Sequence, residues 1–189
     1  MRLGIFGGSF DPPHLGHLLP VIDAVEALAL DGVRFMPAGE QPLKSGRAYA
    51  SAEHRFAMTQ RLLHGVPGFI ADRSEIDRPG LSYTVDTVTQ LAAAHPGVEL
   101  LLLLGTDAFA LFEQWKEPER IRSLATVVVL ARGDEPLAAA TRTPAQVLQT
   151  RRVDISSTEL RARVADGRTI RGFVPDAVAD YIAAHRLYR

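Results

Sequence analysis

The spacing of apolar residues along the chain predicts strands that alternate with helices. Short apolar runs bounded by turn residues are typical of strands in a parallel sheet that is covered on both faces. Strands are predicted at 2–6, 33–37, 69–76 (short or broken), 98–105, 126–131 and 151–155. Apolar positions at helical spacing predict helices at 17–30, 52–64, 85–94, 107–113, 118–124, 157–166 and 176–186.

This alternation predicts an α/β fold with a doubly wound, mostly parallel sheet. The sequence has no internal repeat, low-complexity tract or linker, so we expect a single domain over residues 1–189. Residues 38–51 are rich in Gly, Pro and Ser and predict a long loop, and residues 134–144 predict a mobile surface segment. Ligands of such sheets bind beyond the carboxyl ends of the strands, so we expect the functional site at that edge.

Composition narrows the range of functions. Apolar residues make up 47% and charged residues 23% of the chain, which is ordinary for a soluble globular protein. Runs such as 100–104 are much shorter than the roughly 18 residues that span a bilayer, and the N-terminal segment lacks the features of a signal peptide. We therefore expect no membrane association. The absence of cysteine excludes disulfides and thiolate metal sites, and it fits a cytoplasmic location.

The charge balance argues against nucleic acid as a partner. Lys and Arg number 21 against 22 Asp and Glu, which gives a net charge of -1 without a dense basic stripe. Most arginines are expected to lie on the solvated surface. A small anionic ligand remains compatible with this balance, because it needs only two or three well-placed cations.

The segment after the first strand reads GGSFDPPHLGH and begins at Gly7. Gly7 and Gly8 allow the backbone to approach a ligand closely or to take a positive φ. The helix that follows offers unpaired N–H groups and a partial positive charge, which suit phosphate. His14 and His17 share a face if the turn is helical, with Gly16 leaving space between them. The segment therefore predicts a phosphate site in which both imidazoles donate hydrogen bonds.

Other chemistries fit this segment less well. The sequence contains neither the G-x-x-x-x-G-K-[ST] P-loop nor the G-x-G-x-x-G dinucleotide fingerprint. Asp11, His14 and His17 are an alternative set of metal ligands, but no further cluster at ligand spacing supports them, so we expect no protein-held metal. The other histidines are expected to be surface or core residues: His54, His64, His95 and His185.

The same segment resembles the signature of the HxGH-containing nucleotidyltransferase superfamily. Members transfer a nucleotidyl group from a nucleoside triphosphate to a phosphate-bearing acceptor and release pyrophosphate. Their second signature is similar to ISSTELR at 155–161. There Ser156 and Glu159 form a capping box, which independently predicts a helix start after a strand. Arg161 lies in the following turn, where its forked, charged group could reach a triphosphate.

The resemblance implies a Rossmann-like nucleotidyltransferase fold and a set of functional residues. Catalytic roles fall to His14, His17 and Arg161, and Mg²⁺ is held mainly by the ATP phosphates. The implied ATP contacts are Gly7, Gly8, Ser9, Phe10, His17, Gly105, Asp107, Ile155, Ser156, Ser157, Thr158 and Arg161. The sequence leaves open whether the chain forms a homo-oligomer.

Further segments resemble the bacterial nicotinate-nucleotide adenylyltransferases, which join ATP and nicotinate mononucleotide into nicotinate adenine dinucleotide. These segments are RPGLSYTVDT (78–87), LGTDAF (104–109), FEQW (112–115), LARGD (130–134) and YIAAHRLYR (181–189). By this resemblance nicotinate mononucleotide is bound by Lys44, Tyr83, Thr84, Asp107, Trp115 and Arg132. The loop PAGEQPLK departs from the family pattern, because Ala38 replaces the usual Asn and Leu43 the usual His.

Simpler interpretations of these residues exist. Thr84 is an alternative N-cap for the helix at 85–94, Asp107 is an alternative cap for the helix at 107–113, and Trp115 is an alternative packing residue. The functional alternatives are a sister adenylyltransferase that uses nicotinamide mononucleotide or phosphopantetheine, a non-catalytic nucleotide-binding regulator and a purely structural module. Both signature motifs are intact, which favours an enzyme over the last two.

Overall fold

The computed structural model describes residues 1–40, 50–133 and 145–189. Within these residues the strands are β1 (Arg2–Gly8), β2 (Gly32–Pro37), β3 (Phe69–Ala71), β4 (Glu99–Gly105), β5 (Thr126–Arg132) and β6 (Gln146–Thr150). The helices are α1 (Leu15–Leu28), α2 (Ala52–Leu63), α3 (Ser74–Asp77), α4 (Thr84–Ala94), α5 (Thr106–Ala110), α6 (Pro118–Leu124), α7 (Ser157–Ala165) and α8 (Asp176–Ala184). A short 3₁₀ turn at Phe112–Gln114 follows α5.

The described strands form one sheet in the order β3-β2-β1-β4-β5-β6, and every neighbouring pair is parallel. The chain runs outward from β1 in one direction and then returns to its other side through β4. The predicted doubly wound α/β class is thereby confirmed. The point between β1 and β4 is the topological switch point, where ligands of such sheets bind beyond the carboxyl ends of the strands.

Two apolar clusters cover the two faces of the sheet. Strand residues alternate between faces, so Leu101 and Leu103 join one cluster while Leu100, Leu102 and Leu104 join the other. Helices α1, α2, α7 and α8 bury their apolar residues in the first cluster, and α4, α5 and α6 bury theirs in the second. This double burial explains why β4 is an uninterrupted apolar run.

The last strand lies at Gln146–Thr150, so the prediction of a strand at 151–155 is wrong. Strand β6 pairs only with β5 among the described strands and is largely exposed, which is why its sequence QVLQT lacks an apolar run. After Thr150 the chain leaves the sheet. The backbone N–H of Arg151 donates to the Asp23 carboxylate of α1 at 2.9 Å instead of to a strand neighbour.

Element boundaries differ from the prediction at several places, and two of these differences have a clear local cause or consequence. The segment at 69–76 is a strand only as far as Ala71, because the Asp72 carboxylate then accepts from the backbone N–H of Ser74 at 2.9 Å and α3 begins. Helix α1 begins at Leu15 rather than at 17, which places His17 inside its first turn. Pro20 lies inside this helix, beyond its first turn.

Several expectations fall outside the described residues. These are the mobile segment predicted at 134–144, most of the loop predicted at 38–51, and with it Leu43 and Lys44. The single domain over residues 1–189 stays a prediction. In the described part of the chain, no helix has both the length and the apolar character that crossing a membrane requires.

Candidate functional site

The two histidines of the opening motif lie together at the start of α1. Their ring centroids are 3.8 Å apart. His14 is the N-cap residue, and its backbone N–H donates to Nδ1 of His17 at 3.2 Å. Because Nδ1 of His17 accepts this hydrogen bond, the neutral ring carries its proton on Nε2. Nε2 of the neutral His17 ring is then a hydrogen-bond donor.

The His14 ring is buried and uncharged. Burial, and secondarily the positive charge of Arg132, lower the pKa of His14 from 6.5 to about 4. Its Nδ1 atom is buried and has no hydrogen-bond partner among the described residues. An unpartnered N–H would cost more free energy than an unpartnered lone pair. Burial of Nδ1 therefore favours the tautomer with the proton on Nε2, and at neutral pH His14 is a hydrogen-bond donor without a positive charge.

Gly16 brings the two signature motifs into contact. A Cβ atom at Gly16 would lie 2.9 Å from Nδ1 of His14 and 3.3 Å from the carbonyl oxygen of Ile155. Real Cβ atoms essentially never approach another atom closer than 3.0 Å, so a side chain here would displace the His14 ring. Position 16 therefore requires glycine for two reasons: a side chain there would collide with the His14 ring, and it would crowd the Ile155 carbonyl of the second motif.

The second motif is hydrogen-bonded to the first. The Ser156 hydroxyl accepts from the backbone N–H of Glu159 at 3.1 Å, so the predicted helix cap is present at the start of α7. The Ser157 hydroxyl donates to the carbonyl oxygen of Pro12 at 2.8 Å. Arg161 donates from Nη1 to the carbonyl oxygen of Asp11 at 2.7 Å. The N-termini of α1 and α7 therefore meet at the carboxyl edge of the sheet.

The hydroxyl of Thr158 completes this arrangement. It accepts from Nη2 of Arg161 at 3.1 Å. The guanidinium of Arg161 is thereby held at two of its nitrogen atoms, at the same sheet edge as the histidine pair. Such a held, permanently charged group is suited to a polyphosphate.

Glycines leave open space at the switch point. Gly7 and Gly105 lie at the carboxyl ends of β1 and β4, and a Cβ at either would meet no atom within 4 Å. Gly8 has a different reason for lacking a side chain, since its Cβ would lie 3.1 Å from the Phe10 ring. Neither Gly7 nor Gly8 takes the positive φ that the sequence allowed.

Phe10 contributes its ring to the core rather than to the site. The ring is 1% exposed and packs edge-on against the His17 ring, with centroids 5.1 Å apart. Its φ of +49° is unusual for a residue with a side chain. The backbone of Ser9 and Phe10 is therefore the part of this loop that can face a ligand.

Two residues expected to hold the acceptor, Tyr83 and Thr84, lie at the N-terminus of α4. Tyr83 is the N-cap residue and Thr84 is the first helical residue, so Thr84 is not the cap. The ammonium of Lys116 lies 4.7 Å from the centroid of the Tyr83 ring and 3.6 Å from the Asp86 carboxylate. This contact brings the neighbouring Trp115 to the same region.

Trp115 and Asp107 lie on the turn after β4. The Trp115 ring is half-buried, and it packs against the Phe112 ring with centroids 5.4 Å apart. Packing thus accounts for part of its surface and leaves another part accessible. Asp107 is exposed in the first turn of α5, whose N-cap is Gly105, so capping does not account for Asp107.

Arg132 and Ala38 both interact with the first motif. Arg132 ends β5, and its charge contributes to the lowered pKa of His14. Ala38 is buried, and its backbone is fixed from both sides. Its N–H donates to the carbonyl oxygen of Gly8 at 3.0 Å, and its own carbonyl accepts from Nη2 of Arg55 at 2.6 Å. Lys44 lies outside the described residues.

Arg55 is a buried arginine that the sequence analysis missed. It lies on α2, is 2% exposed, and donates to the carbonyl oxygens of Ser9, Ala38, Gly39 and Ala50. Burial lowers its pKa, and the negative charge of Asp11 opposes that shift. A single arginine among helical positions gives no sequence signal that separates it from surface arginines.

Asp11 and Tyr188 were also missed as part of the site. The Tyr188 hydroxyl donates to Oδ1 of Asp11 at 2.6 Å. The carboxylate of Asp11 is therefore part of a hydrogen-bond network. Across residues 1–40, 50–133 and 145–189, no group of three or more His, Asp or Glu side chains is arranged to hold a metal ion.

Comparisons with known proteins agree with this arrangement. Residues 5–163 match the family model described as cytidylyltransferase-like. A relative from Gemmatimonas aurantiaca is 50% identical over all of this chain and 93% of its own length. A relative from Thermus thermophilus is 47% identical, and the match covers both chains completely. Both relatives carry the name probable nicotinate-nucleotide adenylyltransferase.

A solved structure shares the fold. The nicotinic acid mononucleotide adenylyltransferase of Plasmodium falciparum complexed with NaAD superposes with a TM-score of 0.80. Its sequence is 21% identical, and the match covers 99% of this chain and 97% of that chain. The likeness extends through the whole Rossmann-like sheet.

Proposed function

We infer that this chain, which belongs to the cytidylyltransferase-like family and to its bacterial nicotinate-nucleotide adenylyltransferases, transfers the adenylyl group of ATP to nicotinate mononucleotide. The products are nicotinate adenine dinucleotide and pyrophosphate, and the reaction belongs to NAD biosynthesis. One structural observation carries the proposal. Ser157 and Arg161 of the second motif donate hydrogen bonds to the Pro12 and Asp11 carbonyl oxygens of the first.

The proposed phosphate site consists of His14, His17 and Arg161. Nε2 of each imidazole is assigned as the donor to the phosphates, because Nδ1 of His17 accepts from the His14 backbone and Nδ1 of His14 is buried. Arg161 is assigned to the β- and γ-phosphates. The N-termini of α1 and α7 add a partial positive charge at the same edge. The remaining proposed ATP contacts are those implied by the motifs, with Phe10 contributing through its backbone.

Catalysis in this proposal is positioning and charge stabilisation. An oxygen of the acceptor phosphate attacks the α-phosphorus of ATP in line, and the bond to pyrophosphate breaks. A covalent protein intermediate is unnecessary, because phosphate is already a competent nucleophile. His14 and His17 are hydrogen-bond donors that orient the phosphates and stabilise negative charge as it moves to the leaving group.

The proposal includes Mg²⁺ as an ion that is bound to ATP. The described residues offer no cluster of three or more metal-ligating side chains, which fits an ion that is held mainly by the triphosphate oxygens. When bound, the ion supplies charge neutralisation to the phosphates. The protein's own contribution is then the imidazole and guanidinium donors.

The proposed acceptor site lies at the N-terminus of α4. The N–H groups of the first helical turn, at Thr84 and the residue after it, suit a carboxylate, because both carboxylate oxygens accept hydrogen bonds. An amide would place its NH₂ group against one of these donors. Tyr83, Trp115, Asp107, Arg132 and Lys44 complete the proposed acceptor contacts. The proposal also includes a cytoplasmic location.

Pyrophosphate release with different acceptors tests this function. Purified protein with ATP and Mg²⁺ is offered nicotinate mononucleotide, nicotinamide mononucleotide and phosphopantetheine in separate reactions. Turnover with the nicotinate acceptor, and formation of nicotinate adenine dinucleotide, is the expected result. Turnover with only another acceptor would retain the ATP site and overturn the acceptor assignment. ATP binding without turnover in any reaction would identify a regulator instead.

A further inference from the structure

Tyr188 reaches the active-site loop from the far end of α8. Its hydroxyl donates to Oδ1 of Asp11, which is 3% exposed and also accepts from the backbone N–H of Ala50 at 3.3 Å. The positive charges of Arg55 and Arg161 act on the same hydroxyl. A residue beyond the last helix is therefore built into the charged network beneath the first motif.

The backbone after α8 is shaped to place this side chain. The backbone N–H of Leu187 donates to the carbonyl oxygen of Ile182 at 3.1 Å, which closes the end of the helix. Arg186 and Tyr188 take φ values of +52° and +64°. This left-handed conformation costs free energy for residues with a Cβ, and it persists only where the surroundings hold it. The Tyr188 hydroxyl also lies 4.0 Å from the sulfur of Met58, within the core cluster.

Asp11 connects Tyr188 to the proposed phosphate site. The carboxylate of Asp11 accepts from Tyr188, while its carbonyl oxygen accepts from Nη1 of Arg161. The next carbonyl, that of Pro12, accepts from Ser157 at the start of α7. Displacement of Asp11 would therefore move the acceptors that hold Arg161 and the N-terminus of α7.

We propose that Tyr188 is a positioning residue for adenylyl transfer, which fixes Asp11 and, through the Asp11 carbonyl, fixes the guanidinium of Arg161. This inference rests on the proposed function. Tyr188 itself touches no substrate in the proposal. Burial and the hydrogen bond to Asp11 raise the pKa of Tyr188, so the phenol keeps the proton that it donates throughout the physiological pH range.

Tyr188→Phe is the direct test, because it deletes one hydroxyl and keeps the ring. Tyr181→Phe is the matched control: Tyr181 lies on α8 and its hydroxyl is bonded to Nδ1 of His54 at 2.9 Å, away from both motifs. Tyr188→Phe is expected to lower kcat/KM for ATP about tenfold, the usual consequence of losing one hydrogen bond to a charged group. KM for nicotinate mononucleotide is expected to stay within about twofold, as for the control variant.

A double-mutant cycle distinguishes positioning from general stability. If Tyr188 acts through Arg161, Tyr188→Phe should have little further effect in an Arg161→Ala background. Kinetics are measured at a temperature where thermal melts show all variants folded. An equal loss in both backgrounds, or a Tyr188→Phe enzyme that matches Tyr181→Phe, would overturn the proposal. Absence of nicotinate adenine dinucleotide from the wild-type reaction would instead overturn the proposed function, and this inference with it.

Discussion

Nδ1 of His17 accepts a hydrogen bond from the backbone N–H of His14, 3.2 Å away. This bond ties the tautomer of one histidine to the backbone of the other. It leaves the proton of His17 on Nε2, and the two rings lie with their centroids 3.8 Å apart and their planes tilted by 36°. The spacing of three residues thus has two consequences: it caps the helix, and it aligns two imidazole donors for one anion.

Substitution of His17 should separate these two consequences. In His17→Ala both the cap and the Nε2 donor are lost, and kcat is expected to fall by about 10²–10³, as for the loss of one charge-stabilising donor. His17→Asn retains an acceptor near Nδ1 but no donor at Nε2, so it should lose a similar factor in kcat while remaining more stable than His17→Ala. Steady-state kinetics and thermal melts check both effects.

The exposed His185 provides a control for the His17 variants. His185→Ala lies outside the proposed site and should leave kcat within about twofold of wild type. A loss below tenfold in His17→Ala would contradict the assigned role. Full activity of His17→Asn would show that the cap, rather than the Nε2 donor, is what the reaction requires.

Alanine substitutions at two glycines of the same motif should have different effects, one on stability and kcat and the other on KM for ATP. A Cβ at Gly16 would lie 2.9 Å from the His14 ring, so Gly16→Ala should lower stability by about 1–3 kcal/mol and lower kcat. A Cβ at Gly7 would meet no atom of the protein within 4 Å. Gly7→Ala should therefore keep the melting temperature but raise KM for ATP, because the methyl group occupies space assigned to the nucleotide.

Melts and ATP titrations of the two alanine variants provide the measurement, and each variant is the control for the other. An unchanged KM for ATP in Gly7→Ala would show that the space beside Gly7 is not used by the nucleotide. A fully stable and active Gly16→Ala would show that the His14 ring is free to move.

The lowered pKa of His14 predicts acid sensitivity. Between pH 6.5 and pH 4 the unfolded chain binds a proton at His14 that the folded chain does not bind, so stability should fall as pH falls through this window. The full difference between the two pKa values corresponds to about 3 kcal/mol. Denaturant unfolding of wild type and of His14→Gln at several pH values measures the trend, because the variant separates it from carboxyl groups such as Glu75 that titrate in the same window.

Histidine NMR assigns this effect to His14. In wild type the His14 signal should titrate near pH 4, and His14→Gln identifies the signal by its disappearance. Arg132→Gln should raise the pKa of His14, but only in part, because burial is the larger cause. A His14 signal that titrates near pH 6.5 would contradict the buried, neutral ring.

The sequence predicted the fold because the central strands are buried on both faces. Runs such as 98–105 and 126–131 can be recognised without knowledge of tertiary structure. Edge strands are different: β6 is exposed, so its pattern QVLQT is too polar to stand out, and a strand was predicted at 151–155 instead. The start of α3 depended on a side-chain contact from Asp72, which apolar spacing does not register.

The candidate site could be predicted where its residues are adjacent in sequence. The histidine pair and the Ser156 cap are local patterns, and local geometry follows from them. Arg55 contacts a residue that is 46 positions away in the sequence, and Tyr188 contacts one that is 177 positions away. Neither has a local sequence pattern that indicates burial. The missed part of the site is therefore the part that holds the loops together.

Glu75 offers a last test, on the acceptor side. It is 7% exposed, and its Oε1 accepts from the Thr87 hydroxyl of α4 at 2.7 Å. Its carbonyl oxygen accepts from the Ser82 hydroxyl at 3.4 Å, and that hydroxyl in turn accepts from the backbone N–H of Gly39 at 3.0 Å. Glu75 therefore supports both the segment before Thr84 and the loop that follows β2.

Burial raises the pKa of Glu75 above its ordinary value of 4.5. The folded chain then holds a proton that the unfolded chain releases, so this carboxyl lowers stability as pH rises above 4.5. Glu75→Gln keeps an oxygen for Thr87 without the charge, and at pH 8 it should be at least as stable as wild type.

Glu75→Ala removes the acceptor and should raise KM for nicotinate mononucleotide more than KM for ATP. Denaturant unfolding measures the stability of Glu75→Gln, and steady-state kinetics measure the KM values of Glu75→Ala. The control is Glu26→Gln, at an exposed position. A Glu75→Gln variant that is less stable than wild type at pH 8 would show that the buried charge is favourable.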